Sequence, residues 1–335
     1  MPPFASTPWG VALLITWAFL FGGIIGSFVT ACVYRLPRGI SVVTRTRSFC
    51  PLCNAMIAAW DNIPILSYLL LRGRCRSCGK PISARYFAIE VLMAILYALI
   101  VWQDQVLNAG RIPWGMTAAR LFLVADLACL TFIDLEHYLI PSATTTPWIL
   151  VGILIAPFLP EMHYTRHPWT GIHWADSLLD AVHGALLAGG MIWLVGFLGR
   201  LAFRKEAMGA GDVSLMAMTG AFLGWKPAME VFLLAPFFGS VGGIAEVAWR
   251  RFKAIGKGGA KGPKRIEFRG EDGKVEEVLE GNYIPYGPFL ALATVLVLIY
   301  EPLIRGLIAS YVAGIGGRFE FKMPLIPFEG LKDRW

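Results

Sequence analysis

GVALLITWAFLFGGIIGSFVTAC, residues 10–32, runs 23 residues without a charge. A helix of that length covers about 35 Å at 1.5 Å per residue, enough to cross a hydrocarbon core of about 30 Å. Seven further apolar blocks follow, near 86–103, 116–133, 144–160, 178–199, 213–224, 228–248 and 286–306. Of the 335 residues, 56% are hydrophobic and only 16% charged, against about 25% charged in an average soluble domain. Too little polar chain remains to cover eight apolar blocks as buried helices of a soluble protein. The expected fold is an all-α polytopic membrane protein of about eight transmembrane helices with a cytoplasmic zinc-binding loop. No basic residue precedes the first block and no obvious small-residue cleavage site follows it, so it reads as a span and not a signal peptide.

Lysine and arginine placement orients the chain. Segment 33–85 carries nine basic residues against one acid, Asp61, and segment 249–283 carries nine more. The short 200–212 link adds Arg200, Arg204 and Lys205, whereas the alternate loops are poor in basic residues. Eight spans place all three basic segments in the cytoplasm and both termini outside. The net charge of +7 is then a topology signal, with attraction to anionic membrane lipids as its second use. A nucleic-acid partner is not expected, because no soluble basic domain with interleaved aromatics is present. The expected units are a first span (1–32), a cytoplasmic loop (33–85), a membrane core (86–248), a basic and acidic insertion (249–283) that reads as a solvated linker or hairpin, and a last span with its tail (284–335).

The loop after the first span contains CPLC and, 21 residues on, CRSC. Cys50, Cys53, Cys75 and Cys78 thus form C-x2-C-x21-C-x2-C. Two-residue spacing aims both thiolates of a knuckle at one metal, and two knuckles complete a tetrahedral S4 shell for Zn²⁺. Four protein ligands leave no open position, so the metal is expected to be structural. Two disulfides are the alternative, disfavoured in a reducing cytoplasm. His163, His167 and His173 share an outside loop at irregular spacing and read as solvated residues, not ligands.

Ionisable groups in or beside spans are expensive and point to function. Glu90 and Asp126 read as pairing with a buried donor or lining a cavity, and Asp180, Glu230 and Glu246 as reaching water near span ends. Asp134 and Asp212 stand apart, because the topology puts both at cytoplasmic helix ends. Gly209 and Gly211 precede Asp212, where irregular backbone is tolerable only against protein or water. Asp212 has a plain alternative, capping its own helix. If the two carboxylates meet, they share a proton, and one can activate water while the other polarises a carbonyl. The chain contains no G-x-S-x-G, H-E-x-x-H or P-loop to compete with that chemistry.

Five stretches in order resemble the bacterial prepilin peptidases, the GxGD-type aspartic proteases of type IV pilus assembly and type II secretion. They are GSFVTACVYRLPRG (26–39), the cysteine loop (50–86), FIDLEHYLIP (132–141), MGAGDVSLMAMTGAFLGW (208–225) and IPYGPFLALA (284–293). The resemblance implies that Asp134 and Asp212 are the catalytic pair, with Gly209 and Gly211 supporting the active-site backbone. It implies a prepilin or pseudopilin substrate, cut after a glycine at the cytoplasmic face of the inner membrane, and pilus or type II secretion assembly machinery as partners. It further implies N-methylation of the new N-terminus with S-adenosylmethionine, an activity that goes with the cysteine loop (33–85) in the family. No residue announces the methyl-donor site, and the loop lacks a G-x-G-x-x-G fingerprint.

The sequence departs from the family pattern at Thr30 (usually asparagine), Ser142 (commonly aspartate), Ser214 (usually lysine) and Phe87 (frequently proline). Two other classes remain as alternatives: a non-catalytic membrane assembly factor with a zinc-stabilised loop, and an ion-coupled transporter using its acids as proton relays.

Overall fold

A computed structural model describes residues 7–42, 48–107, 112–138, 140–163, 170–204, 208–255, 265–269, 275–279 and 285–300. Each apolar block forms a helix. They are α1 (Pro8–Arg35), α3 (Ala84–Val101), α4 (Trp114–His137), α5 (Ser142–Ile155), α6 (His173–Phe203), α7 (Ala210–Leu223) and α8 (Trp225–Ile255), followed by α9 (Gly287–Tyr300). A short α2 (Leu66–Leu70) lies in the cysteine loop. Five helices, α1, α3, α4, α6 and α8, are long and apolar enough to cross a membrane, whereas α5, α7 and α9 are shorter. With 14 residues, α7 rises only about 21 Å, short of a full hydrocarbon core. The expected eight spans therefore stand as five by length and composition, plus three shorter apolar helices.

The outer faces are apolar. Leu13, Trp17, Leu20, Ile24 and Phe28 form an exposed row along α1, and Leu233, Phe237, Val241 and Ile244 another along α8. Both rows recur at three- and four-residue steps, the period of one helix face. In water such patches would drive association; in lipid they are solvated. The chain is a multi-pass membrane protein.

Inside, α4 is the central helix. Val124, Ala128 and Ile133 pack with Val29, Ile89, Met93 and Tyr97 from α1 and α3. Leu123, Leu127 and Leu130 pack on the other side with Ile192, Leu215, Met218 and Leu290 from α6, α7 and α9. Small residues let the helices close, as is usual where lipid removes the hydrophobic drive for association. Gly184 and Gly220 cross so tightly that a Cβ on Gly220 would lie 2.1 Å from the Gly184 carbonyl oxygen. On α1, a Cβ on Gly26 would lie 2.7 Å from the Glu90 Cα.

Several sequence expectations change. His163 is 3% exposed, not solvated; its ring nitrogens lie 2.9 Å from Ser177 Oγ and 3.0 Å from the Ala221 carbonyl oxygen, tying the α5–α6 connection to α7. His173 is exposed at the start of α6, and His167 lies outside the described residues. Asp180 is buried instead of reaching water. A network absent from the sequence reading joins Asp104 to Arg120 at 2.5 Å and to Thr117 at 3.0 Å. Within the 249–283 segment, α8 first continues to Ile255. Beyond it, β1 (Arg265–Arg269) and β2 (Val275–Leu279) pair antiparallel, with Arg265 opposite Leu279.

Candidate active site and metal centre

Asp134 lies in the last turn of α4, which Tyr138 ends in a left-handed conformation while its N–H donates to the Asp134 carbonyl at 2.7 Å. Asp212 is the third residue of α7 after the N-cap Gly209. A glycine cap has no side-chain acceptor for the first-turn amides. Asp212 compensates, its carboxylate accepting from the Gly209 N–H, which is the reaching-back half of a capping box. The N-cap is therefore Gly209 and not Asp212, which supports the cap from the third helical position; that does not exclude a second role.

Both acids are buried, Asp134 at 4% and Asp212 at 7% exposure. They are close enough that the charge of Asp212 acts on Asp134. The start of α9 completes the enclosure. The Gly287 N–H donates to the Asp134 carboxylate, and Tyr286 also lies within electrostatic range of Asp212. Each carboxylate therefore sits at a helix N-terminus, where the peptide dipoles favour negative charge.

Ile140 spaces these parts. A Cβ on Gly211 would lie 2.6 Å from Ile140 Cβ and 2.8 Å from its carbonyl oxygen. A Cβ on Gly287 would lie 2.6 Å from both Ile140 Cδ1 and Asp134 Oδ2. Gly209 differs, since a Cβ there would meet nothing closer than Asp212 Oδ2 at 3.8 Å. Of the two glycines expected to support the site, only Gly211 is sterically required. The sequence reading misses Gly287 as an individual position, although Gly-Pro opening an apolar run is a helix-start signal that points to it.

The departures from the family pattern have local partners. Ser214 accepts from the Thr145 hydroxyl at 2.7 Å and donates to the Gly211 carbonyl at 2.9 Å, joining α5 to the first turn of α7. Thr30 donates to the Ser27 carbonyl at 2.7 Å. Phe87 stacks on Tyr68 at 5.0 Å, holding the cysteine loop against α3.

The two cysteine knuckles share one geometry, shifted by 25 positions. The Cys50 N–H donates to the Ala55 carbonyl and the Asn54 N–H to the Cys50 carbonyl, at 2.9 and 2.8 Å. The Cys75 N–H donates to Lys80 and the Gly79 N–H to Cys75, both at 2.9 Å. Asn54 and Gly79 occupy the same left-handed corner, at φ 54° and 67°, a conformation that favours these two residue types. All four sulfurs lie within 4.8 Å of one another. A tetrahedral zinc with bonds of about 2.3 Å holds its sulfurs about 3.8 Å apart, so the donor set fits that ion.

The four cysteines are free thiols, as a shared metal requires. Backbone N–H groups of Cys78 and Ser77 point at the Cys75 sulfur and hold its thiol down to about 7, the thiolate form a metal needs. At Cys53 the Ala55 N–H acts in the same sense, but desolvation and the neighbouring cysteines outweigh it and the thiol is pushed up to about 11. Arg76, inside the second knuckle, makes a two-pronged bond to Asp61 at 2.6 and 2.7 Å. At the other edge of the loop, Arg85 pairs with Glu136, two residues beyond Asp134.

Together these features define a multi-pass membrane protein with a buried two-aspartate site and a separate four-thiol metal centre. The bacterial peptidase A24 N-terminal domain family matches residues 20–104, and the type IV leader peptidase family matches residues 121–244. The chain is 33% identical to the prepilin leader peptidase/N-methyltransferase of Myxococcus xanthus (strain DK1622), over 91% of this chain and 96% of that one. Its identity to the protein of the same name from Aeromonas hydrophila is 33%, over 88% and 92%. For the one from Neisseria gonorrhoeae it is 33%, over 71% and 85%. No solved structure matches it. The chain belongs to the type IV leader peptidase family.

Proposed function

We propose that this protein is an inner-membrane aspartic endopeptidase that removes the short basic leader of prepilins or pseudopilins after a glycine, and that it N-methylates the new N-terminus. The observation that supports the peptidase reading is that Asp134 and Asp212, on separate helices, are both buried and within electrostatic range of each other beside Ile140 and Gly287. Two carboxylates at such range do not both ionise readily, so they hold one proton between them. The ionised member takes a proton from water, whose oxygen attacks the scissile carbonyl carbon. The protonated member donates to the carbonyl oxygen as it gains charge. Collapse of the tetrahedral species breaks the C–N bond, and a proton passes to the leaving amine. The substrate's apolar segment stays in lipid beside the short α7, while its basic leader meets Asp134, Asp212 and Glu136 at the cytoplasmic face.

Cys50, Cys53, Cys75 and Cys78 would hold a structural zinc that ties the loop's two knuckles together. S-adenosylmethionine, when bound, would supply an electrophilic methyl group to the newly exposed amine, leaving S-adenosylhomocysteine and releasing a proton. A pilus or secretion pseudopilus machinery consumes the product. The assembly-factor alternative is disfavoured because it gives no reason for two acids to converge in the protein interior.

Asp134→Asn and Asp212→Asn test the pair. Each should lower the rate of leader removal by about 10²–10⁴-fold, the usual weight of a general acid or base, while the protein stays inserted and retains zinc. Normal processing by either variant would sink the assignment.

A further inference from the structure

Residues 62–71, NIPILSYLLL, carry no charge, although nine basic residues surround them in the 33–85 segment. Ile63, Leu66, Leu69 and Leu70 are exposed, Leu70 by 73%. Such a patch is a liability on a loop that lies in water. Its depth accounts for it. Pro64 and Ile65 pack against α1 at Gly23, where a Cβ would lie 3.5 Å from Pro64 Cβ and 3.8 Å from Ile65 Cδ1. Gly23 precedes the end of α1 at Arg35 by 12 residues, about 18 Å along the helix. The 28 residues of α1 rise about 42 Å, about 12 Å more than a hydrocarbon core. With all of that excess projecting into the cytoplasm, Pro64 still stands about 6 Å inside the hydrocarbon. On the other side the segment reaches Glu90, six residues beyond the start of α3 at Ala84, whose carboxylate accepts from the Ile65 N–H at 2.7 Å.

The backbone is closed as lipid demands. The Ile63 N–H donates to Ser67 Oγ and the Ser67 N–H to the Ile63 carbonyl, both at 3.0 Å. The Leu69 N–H donates to the Ile65 carbonyl at 3.2 Å and the Leu71 N–H to that of Ser67 at 3.0 Å. Irregular backbone at membrane depth is tolerated where protein satisfies it or a cavity adjoins it. Both hold here, because a cavity of about 550 Å³ opens between the segment, α1 and α3, with Ile63, Ser67 and Glu90 among its walls. The innermost turn is strained. Ile65 adopts φ 65°, unfavourable for a β-branched residue and kept only where the surrounding structure imposes it. Arg72 and Gly73, at φ 51° and 66°, turn the chain out again. The flanking cysteine pairs gather their four sulfurs within 4.8 Å of one another. They close the neck through which the chain leaves at Cys53 and returns at Cys75.

We propose that residues 62–71 form a re-entrant segment inserted into the cytoplasmic leaflet, with Ile63, Leu66, Leu69 and Leu70 against lipid acyl chains. The surface continues the lipid-facing row of α1, since Leu20 and Ile24 of that row lie on the turn that holds Gly23. Arg72 and Arg74, exposed on the returning limb, meet anionic headgroups at the neck. The inference stands without the proposed activity. Given that activity, the segment anchors the four-thiol loop at the membrane surface, where cleavage would expose the new amine.

The test is photolabelling from the lipid. The full-length, zinc-loaded protein is reconstituted in vesicles of phosphatidylethanolamine and phosphatidylglycerol containing a diazirine phospholipid, with the reactive group either at the acyl-chain end or on the headgroup. Labelled residues are mapped by mass spectrometry. The chain-end probe should mark residues 63–70 to within about threefold of residues 13–28 on α1, because both face the same hydrocarbon. The headgroup probe should mark residues 72–76 instead. Absence of chain-end label from 63–70 beside a labelled α1 would overturn the proposal, and would mean that a second copy or another protein covers this face. Marking of 63–70 by the headgroup probe alone, or by hydroxyl radicals generated in the water phase, would place the segment outside the hydrocarbon and overturn it equally. None of these outcomes touches the assignment of Asp134 and Asp212, which the leader-removal assay decides separately.

Discussion

Replacing Gly287 by alanine adds one methyl group at the most confined point of the aspartate site. The new Cβ would stand 2.6 Å from Asp134 Oδ2 and 2.6 Å from Ile140 Cδ1, about 0.8 Å inside ordinary van der Waals contact. Both obstructing atoms are side-chain ends, so the strain relaxes by moving them, at a stability cost of about 1 kcal/mol. One of them, however, is the carboxylate proposed to do the chemistry. A displacement approaching 1 Å of a reacting group costs about 10²-fold in rate, equivalent to about 2.7 kcal/mol in the barrier. Gly287→Ala should therefore lose about 10²-fold in activity with little change in melting temperature. The assay is the initial rate of leader removal from a purified prepilin in detergent, followed by mass spectrometry, beside thermal unfolding read by tryptophan fluorescence. Two neighbours complete the experiment. In Gly211→Ala the methyl group meets Ile140 Cβ and backbone, which cannot swing aside, so activity and stability should both fall. In Gly209→Ala the nearest atom is 3.8 Å away, and φ −76° suits alanine, so both should hold. Activity of Gly287→Ala within about threefold of the unaltered protein would refute the reasoning, because the displaced carboxylate would then not be rate-determining.

Gly220→Ala drives a methyl group to 2.1 Å from the Gly184 carbonyl oxygen; backbone against backbone cannot repack locally. The expected loss is about 3 kcal/mol, seen as reduced yield of folded protein and a lower melting temperature. Cys50→Ser should lose the metal and loosen the loop, checked by elemental analysis and limited proteolysis between residues 48 and 83; full zinc content in that variant would refute the four-thiolate centre. Asp61 is held below the usual carboxylate range by its two-pronged bond to Arg76. Its contribution is therefore present above the ordinary carboxylate pKa of about 4 and lost as pH falls through the lowered value. Asp61→Asn should flatten the acid limb of the loop's resistance to proteolysis, and an unchanged acid limb would show that this pair does not tie down the second knuckle.

How much was legible in the sequence follows from the range of each interaction. Membrane character was readable because it depends on consecutive residues, such as the uncharged run at 10–32. The metal centre was readable because each knuckle is closed by hydrogen bonds within six residues, and C-x2-C carries its ligand geometry in its spacing. Asp134 and Asp212 could be named as exceptional from their positions at helix ends. Their convergence could not, since they lie 78 residues apart in the chain and come near each other around Ile140 and the start of α9. The difference between Gly209 and Gly211, identical in the motif, is made by Ile140 lying against one and not the other. Glu90 was visibly odd in its apolar surroundings, yet its strained Ile65 donor and its cavity come from the loop folding back on α3. His163 reads as a loop residue in the sequence because nothing local signals that Ser177 and Ala221 enclose it. Hydropathy and ligand spacing are properties of short segments, and the sequence by itself determined the class of protein and its metal site through them. The tertiary structure alone decided which helix faces touch, because that depends on small residues far apart in the chain allowing close approach.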